Sequence, residues 1–222
     1  MPLMNKNQLA NTEQQYIKSL IAKGENQQLD FKFEINDSRK IARTLVAFAN
    51  TDGGKLLVGV KDNGAISGVR SDEEYYMVEA AANMFCKPEM PFDVKKWIVD
   101  KKIVLEISVQ QGRNPFFAKD ENGKWMAYVR VNDQNILANR VLIEVWKRKK
   151  KPHGIFIKYS KNENDLLLYL SENKKISLSK YTRVSKLTIK EAEKILINLL
   201  CLDVIQMELS EKGALYSLKK AE

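Results

Sequence analysis

Hydrophobic residues recur with helical spacing in four segments of the first 150 residues. This periodicity is typical of helices that bury one face against a core. Between the four segments the pattern changes to alternation or is interrupted by glycine and proline, so the helices are interleaved with other elements. The predicted helices run from about Gln8 to Ala22, directly after Asp37, from about Asp72 to Phe85, and from about Ile136 to Lys150.

Apolar and polar residues alternate in segments between these helices, which indicates strands. The clearest segment, QLDFKFEI at 28–35, places its apolar residues on a packed face and Asp30 and Lys32 on the opposite one. Hairpins are predicted across the turns at 100–101 and 122–123. Because tight turns join some strands while helices separate others, we predict an α+β fold with a mixed sheet flanked by helices.

A basic run interrupts the last of the four helices. The sequence KRKKK is followed directly by Pro152 and Gly154, which are poorly compatible with a continuing helix. We therefore predict a first domain at 1–151 and a second domain at 152–222.

The second domain shows three short helical segments followed by a hairpin, which is the order of a winged helix-turn-helix. Thr188 and Glu191 form a capping box at the start of the third helix. The buried stripe of that helix is predicted to include Ile189. A row of lysines lies beside the stripe, and further basic residues lie on the preceding helix and at the hairpin tip. The predicted nucleic-acid contacts are Lys180, Arg183, Lys186, Lys190, Lys194 and Lys212.

Positive charge is concentrated in the last third of the chain. Residues 147–222 carry 17 lysines and arginines against 9 aspartates and glutamates, a net of +8 out of the total of +9. Residues 1–146 carry the remaining 20 against 19, a net of +1. This asymmetry predicts that the second domain contacts a polyanion, although a solvated helix face carries lysines as well.

Composition argues against several other classes of protein. One histidine and two widely separated cysteines provide neither a zinc site nor a disulfide framework. No apolar run approaches the roughly 18 residues that a membrane-spanning helix needs, and the first residues lack the apolar stretch of a secretory signal. We therefore expect a cytoplasmic protein that does not contact a membrane.

The stretch AFANTDGGKLLVGVKDNG, residues 47–64, is rich in glycine and raises the question of a phosphate-binding loop. A Walker loop requires Gly-Lys-Ser or Gly-Lys-Thr between a strand and a helix. Here Gly53, Gly54 and Lys55 follow a helix and open a strand, and Leu56 stands where the hydroxyl residue belongs. The glycine pair is therefore predicted to end the helix, and nucleotide binding is not expected.

Four segments resemble the Schlafen-type AlbA-like domain: GENQQLDFKFE, LVAFANTDGGKLLVGVKDNGAISGV, NPFFAK and AYVRVND. The resemblance covers roughly residues 15–148. It implies a domain that is common in bacterial proteins named as DNA-binding proteins or transcriptional regulators, often attached to a winged helix. In animal Schlafens a similar domain is a metal-dependent endoribonuclease that acts on structured RNA.

The resemblance also implies a site of three carboxylates for Mg²⁺ or Mn²⁺. By motif, these carboxylates fall on Glu25, Asp30 and Asp62, with Lys32 beside them as a catalytic cation. Such a site would activate water and neutralise charge that develops on phosphorus. The second position is commonly glutamate in the family, so Asp30 is shorter by one methylene. Arg130 in YVRVND is expected either to bind phosphate or to pair with a carboxylate such as Asp62.

These observations predict a nucleic-acid-binding protein that regulates transcription, with DNA favoured over RNA. The alternative is a metal-dependent nuclease that uses the winged helix for targeting. Because animal Schlafens clamp RNA between two lobes, that activity would require a homodimer of this chain. A third alternative is a protein-interaction module whose winged helix mediates assembly.

Overall fold

The computed structural model describes residues 6–149 and 160–219, and contacts within the chain divide it into two compact units after Leu137. The first unit consists of α1 (Lys6–Ala22), β1 (Leu29–Lys32), α2 (Ser38–Ala49), β2 (Gly54–Val58), α3 (Glu73–Met84), β3 (Cys86–Lys87), β4 (Asp93–Val99), β5 (Lys102–Val109), β6 (Phe117–Lys119), β7 (Trp125–Met126), β8 (Tyr128–Val131) and β9 (Gln134–Leu137). The second unit consists of α4 (Arg140–Lys149), α5 (Lys161–Asn173), β10 (Lys175–Ser177), α6 (Leu178–Ser185), α7 (Ile189–Cys201), β11 (Ile205–Ser210) and β12 (Gly213–Leu218).

The first unit is built on a mixed four-stranded sheet in the order β1-β2-β5-β4. β1 and β2 are parallel, whereas β5 is antiparallel to both of its neighbours, β2 and β4. Asp100 and Lys101 both have positive φ at the β4–β5 turn, as the tightest hairpin turns require. The predicted α+β class with a mixed sheet and the predicted hairpin at 100–101 are therefore confirmed.

Both faces of this sheet are packed, which corrects the expectation of one polar face on β1. Leu29 and Phe31 join the core cluster beneath α1, whereas the other face of the sheet packs on α2 and α3. Asp30 points away from α1 but is only 4% exposed. The alternation along β1 therefore separates two packed faces, and Asp30 with its ion pairs lies on the face opposite α1.

The glycine pair ends α2, as predicted. Gly53 has a φ of +71°, and its amide donates to the carbonyl of Phe48. A Cβ on Gly53 would lie 2.8 Å from the carbonyl oxygen of Val109, and a Cβ on Gly54 would lie 2.4 Å from the Phe48 ring. Both positions therefore require glycine for close approach of the backbone.

A hairpin forms across 122–123, but the segment predicted as its second strand, AYVRV, is not the partner of PFFAK. β6 pairs with β7 at the turn, but β8 leaves this pairing and forms a separate two-stranded ribbon with β9. The small sheet that contains the turn has the order β3-β6-β7. The ribbon of β8 and β9 packs on α2 and brings Arg130 to the core.

The second unit combines α5, α6 and α7 with a three-stranded antiparallel sheet in the order β10-β12-β11. Its core includes Leu166, Tyr181, Leu196 and Tyr216. α4 belongs to this unit, because Val141 and Val145 are buried in the same cluster. The compact units divide after Leu137, and the domain boundary at residue 151 stays a prediction.

Ile189 differs from its predicted position in the buried stripe of α7, because its side chain is 62% exposed. Ala192, Leu196 and Leu199 of the same helix are buried as predicted. Side chains on a helix tilt toward its N-terminus, so the side chain of the first residue extends beyond the end of α7. Ile189 therefore contributes apolar surface at the helix N-terminus instead of core volume.

Part of the predicted boundary, residues 150–159 with His153, lies outside the described residues. Within the two described ranges, no helix is long and apolar enough to cross a membrane.

Candidate nucleic-acid interface and carboxylate cluster

Asp30 is the centre of a buried group of charged side chains in the first unit. Its Oδ1 accepts from Nη2 of Arg130 at 3.0 Å, and its Oδ2 lies 2.8 Å from Nζ of Lys32. Both oxygens of the Asp30 carboxylate therefore face cations of the protein itself. Lys32 remains partly exposed, whereas Arg130 is fully enclosed.

Arg130 is held by the backbone as well as by Asp30. Its guanidinium donates to the carbonyl oxygens of Asn26 and Leu29 at 3.3 Å each, and to Oδ1 of Asn135 at 3.0 Å. The guanidinium also lies 5.2 Å from the centroid of the Phe48 ring. With these partners and an exposed fraction of 2%, Arg130 pairs with Asp30 and connects β8 to β1.

Glu25 lies next to this pair, just before β1. Its Oε1 accepts from the backbone amide of Phe31 at 2.8 Å. Partial burial raises the pKa of Glu25 above its ordinary value of 4.5, and a hydrogen bond and charge repulsion from Asp30 raise it further, against the amide of Phe31 and the charge of Lys32. The structure therefore brings Glu25, Asp30 and Lys32 together, as the resemblance implied.

Asp62 does not join this group as a metal ligand. It lies exposed in a tight turn in which the amide of Lys61 donates to the carbonyl of Ala65, and Gly64 has a φ of +80°. In the described part of the chain, no three histidine, cysteine, aspartate or glutamate side chains lie close enough together to hold a metal ion. Cations of the protein lie within 3.0 Å of both oxygens of Asp30, and the described residues do not assemble the three-carboxylate site that the resemblance implies.

Replacing Glu25 by glutamine is expected to change how stability depends on pH. The pKa of Glu25 is higher in the folded state than in the unfolded chain. Between these two pKa values the folded wild type therefore binds more protons than the unfolded chain. Its free energy of unfolding consequently decreases as pH rises through this range. Glu25→Gln lacks this loss. Urea unfolding of both proteins at about pH 4 and about pH 7 should show the variant gaining stability relative to wild type at the higher pH. A difference that is constant with pH, or that has the opposite sign, would show that burial does not penalise the Glu25 charge.

A second buried carboxylate was not identified as important from the sequence. Glu106 on β5 is 2% exposed and pairs with Lys55, while its Oε2 accepts from the indole of Trp97 at 2.8 Å. Tyr16 donates to Oε1 of Glu106 at 3.1 Å. Burial lowers the pKa of Lys55, but hydrogen bonds with Glu106 and Tyr16 outweigh it and raise the pKa. A lone acidic residue in the apolar segment KIVLEISV is the signal that could have identified this cluster.

The partner of Lys55 also bears on the glycine-rich stretch. In a phosphate-binding loop the lysine would point toward a bound phosphate. Here its ammonium pairs with a buried carboxylate on the neighbouring strand and contacts the Tyr16 hydroxyl at 2.9 Å. This pairing agrees with the conclusion that the stretch does not bind nucleotides.

The second unit presents a basic surface around α7. All six side chains predicted to contact nucleic acid are exposed, and in residues 160–219 none of them forms an ion pair with a carboxylate. Lys186 has a φ of +57° in the three-residue connection between α6 and α7, and Lys190 and Lys194 follow one turn apart on α7. The row is therefore free to meet an external anion.

Two glutamates interrupt this row in sequence, but both have partners within the protein. Glu193 is only 9% exposed and lies 3.6 Å from Nε of Arg140 on α4. Glu191 accepts from the amide and the hydroxyl of Thr188 in the predicted capping box, and the hydrogen bonds lower its pKa. Arg140 therefore offsets the charge of Glu193, whereas Glu191 keeps its negative charge at the start of α7.

Two solved structures resemble the chain at low identity. DIP2311 from Corynebacterium diphtheriae is 18% identical, with 93% of this chain and 44% of that protein covered and a TM-score of 0.49. The N-terminal domain of a RecG-related protein from Nitrosomonas europaea is 19% identical, with 58% of this chain and 95% of that domain covered and a TM-score of 0.38. The chain thus spans less than half the length of DIP2311. No curated protein sequence matches it significantly.

A family description matches more than half of the chain. The family is Schlafen, AlbA_2, and the match covers residues 25–139. The matched range begins at Glu25, includes the buried pair of Asp30 and Arg130, and ends within two residues of the division between the compact units. The chain therefore belongs to the Schlafen AlbA_2 family.

Proposed function

We propose that this chain is a DNA-binding transcriptional regulator whose second unit is a winged helix-turn-helix. The observation that carries the proposal is the unpaired row of Lys186, Lys190 and Lys194 at the start of α7. Clustered cations without carboxylate partners are the electrostatic feature that binds a phosphate backbone. Membership of the Schlafen AlbA_2 family is consistent with a nucleic-acid-related function.

The order and pairing of elements support the winged-helix assignment. α5 is followed by the short strand β10, then by α6 and α7, and finally by the hairpin of β11 and β12. β12 lies between β10 and β11, so the hairpin is anchored beside the three helices. In this interpretation α7 enters the major groove, and Lys212 at the hairpin tip contacts the flanking backbone.

Packing within the second unit supports a preformed binding surface. α4 lies along α7, with Nη1 of Arg148 donating to Oδ1 of Asn198 at 2.8 Å and Arg140 close to Glu193. These contacts cover one flank of α7 and leave Lys190 and Lys194 exposed. Rigid placement of the helix reduces the entropy lost when DNA binds.

Salt dependence tests this proposal and separates it from a protein-interaction module. For duplex DNA, the logarithm of the association constant falls linearly with the logarithm of salt concentration, with a slope of about −0.9 for each phosphate that is neutralised. If all six basic side chains neutralise phosphates, this slope should be near −5. Lys190→Ala/Lys194→Ala should reduce the steepness by about 2. Fluorescence anisotropy with labelled duplex DNA, at several salt concentrations, measures the slope for wild type and for the variant. A slope shallower than about −1, or an unchanged slope in the variant, would contradict the proposal.

The nuclease alternative, its metal ion and the homodimer that it would require stay predictions. The described residues of the carboxylate cluster do not favour that alternative, since Asp30 is paired with Arg130 and Lys32.

A further inference from the structure

The small sheet β3-β6-β7 of the first unit has one buried and one outward face. Cys86 and Ala118 are adjacent in the register of β3 and β6, and both belong to the core. Because neighbouring residues on a strand point to opposite faces, Lys87, Lys119 and Trp125 lie on the outward face. None of these three residues was part of the site predicted from the sequence.

The outward face combines aromatic rings with lysines. Nζ of Lys87 lies 5.8 Å and Nζ of Lys119 lies 5.9 Å from the ring centroid of Trp125. Phe117 is directly opposite Lys87 in the register, so a second ring lies on the same face. In the part of the chain that the structure describes, neither lysine forms an ion pair with a carboxylate. The face is therefore positively charged as well as aromatic.

The β6–β7 turn fixes the position of Trp125 relative to Lys119. Oδ1 of Asp120 accepts from the amides of Asn122 and Lys124 at 2.9 Å and 2.8 Å, and the amide of Asp120 donates to the carbonyl of Lys124. Lys119 and Trp125 are register partners directly beside this turn. The ring and the cation are thus held in place without a ligand.

We propose that this outward face binds single-stranded nucleic acid, with an unpaired base stacked on Trp125 and the adjoining phosphates paired with Lys87 and Lys119. Aromatic rings on a strand surface beside cations are the features that bind unpaired bases. A duplex hides the faces of its bases, so this surface discriminates in favour of a single strand. The inference extends the proposed function and rests on it, since it adds a contact in the first unit to the duplex contact of α7.

Anisotropy titrations of the full chain with labelled oligothymidylate, oligouridylate and duplex DNA test the inference. Trp125→Ala should weaken single-strand binding about tenfold, whereas Trp125→Phe should retain most of it because phenylalanine can still stack. Neither variant should change duplex affinity. Preference for oligothymidylate or for oligouridylate would identify DNA or RNA as the ligand that supplies the unpaired base.

A second pair of variants keeps the inference testable if Trp125→Ala does not fold. Lys87→Ala/Lys119→Ala should reduce the steepness of the salt dependence of single-strand binding by about 1.4, at about 0.7 per phosphate. Lys23→Ala/Lys95→Ala removes the same charge from exposed positions of the first unit and should leave that slope unchanged.

The outcomes separate failure of this inference from failure of the proposed function. Single-strand binding that is unaffected by both Trp125→Ala and Lys87→Ala/Lys119→Ala would overturn the inference, whatever the duplex result. Equal losses in the control pair Lys23→Ala/Lys95→Ala would overturn it as well. Absence of duplex binding by wild type would overturn the proposed function, and with it the premise of this inference.

Discussion

Replacing Arg130 by methionine is expected to lower the free energy of unfolding by about 3–5 kcal/mol, because it leaves a buried carboxylate without its main partner. Asp30 is 4% exposed, and its remaining cation, Lys32, is itself partly in solvent. The variant also leaves the carbonyls of Asn26 and Leu29 without the donors that Arg130 supplies. Urea denaturation followed by circular dichroism measures the change.

Two further variants identify the cause of that loss. Arg130→Met/Asp30→Leu removes both charges and should recover most of the lost stability, since an apolar pair can replace a buried ion pair at little cost. Arg70→Met removes an exposed arginine and should change the free energy of unfolding by no more than about 0.5 kcal/mol. A loss below about 1 kcal/mol for Arg130→Met would show that the pair does not stabilise the fold.

This expectation gives Asp30 a structural role. Its two oxygens lie within 3.0 Å of the enclosed guanidinium of Arg130 and the ammonium of Lys32. Arg130 provides the positive charge that a metal ion would otherwise provide next to Asp30.

Local patterns predicted much of the fold. The glycine pair that ends α2, the turn at 100–101 and the capping box of α7 depend on backbone preferences of a few neighbouring residues. For that reason the sequence predicts them directly. The strand at 28–35 was also predicted, although only 29–32 pair in the sheet.

Long-range partners were harder to predict. Asp30 was expected on a polar face because alternation cannot show that Arg130, 100 residues later, encloses it. The same limit applies to Glu106, whose partner Lys55 lies 51 residues earlier. Ile189 follows the apolar period of α7, but periodicity does not show where the packed part of a helix begins.

The side chains predicted to contact nucleic acid are all exposed in the structure. Lys180 and Arg183 lie on α6, Lys186 lies in the connection to α7, Lys190 and Lys194 lie on α7, and all five are exposed. Glu191 and Glu193 lie among these lysines in the sequence. Only the structure shows that Glu193 pairs with Arg140 and that Glu191 accepts from Thr188. We propose that this row binds duplex DNA.

Charge reversal at Lys190 and Lys194 tests that claim most directly. Each lysine that pairs with a phosphate contributes about tenfold to affinity near 0.1 M salt through counterion release, so Lys190→Glu/Lys194→Glu should lower duplex affinity by about 100-fold or more. Both side chains are exposed, so the fold should persist. The control variant is Lys23→Glu/Lys40→Glu, which makes the same change of charge at two exposed lysines of the first unit.

The decisive measurement is the duplex dissociation constant of these two variants and wild type at one salt concentration, with circular dichroism to confirm folding. We expect affinity to fall about 100-fold or more for Lys190→Glu/Lys194→Glu and to change less than about threefold for Lys23→Glu/Lys40→Glu. Equal losses in the two variants, or duplex affinity that survives reversal on α7, would contradict the proposal.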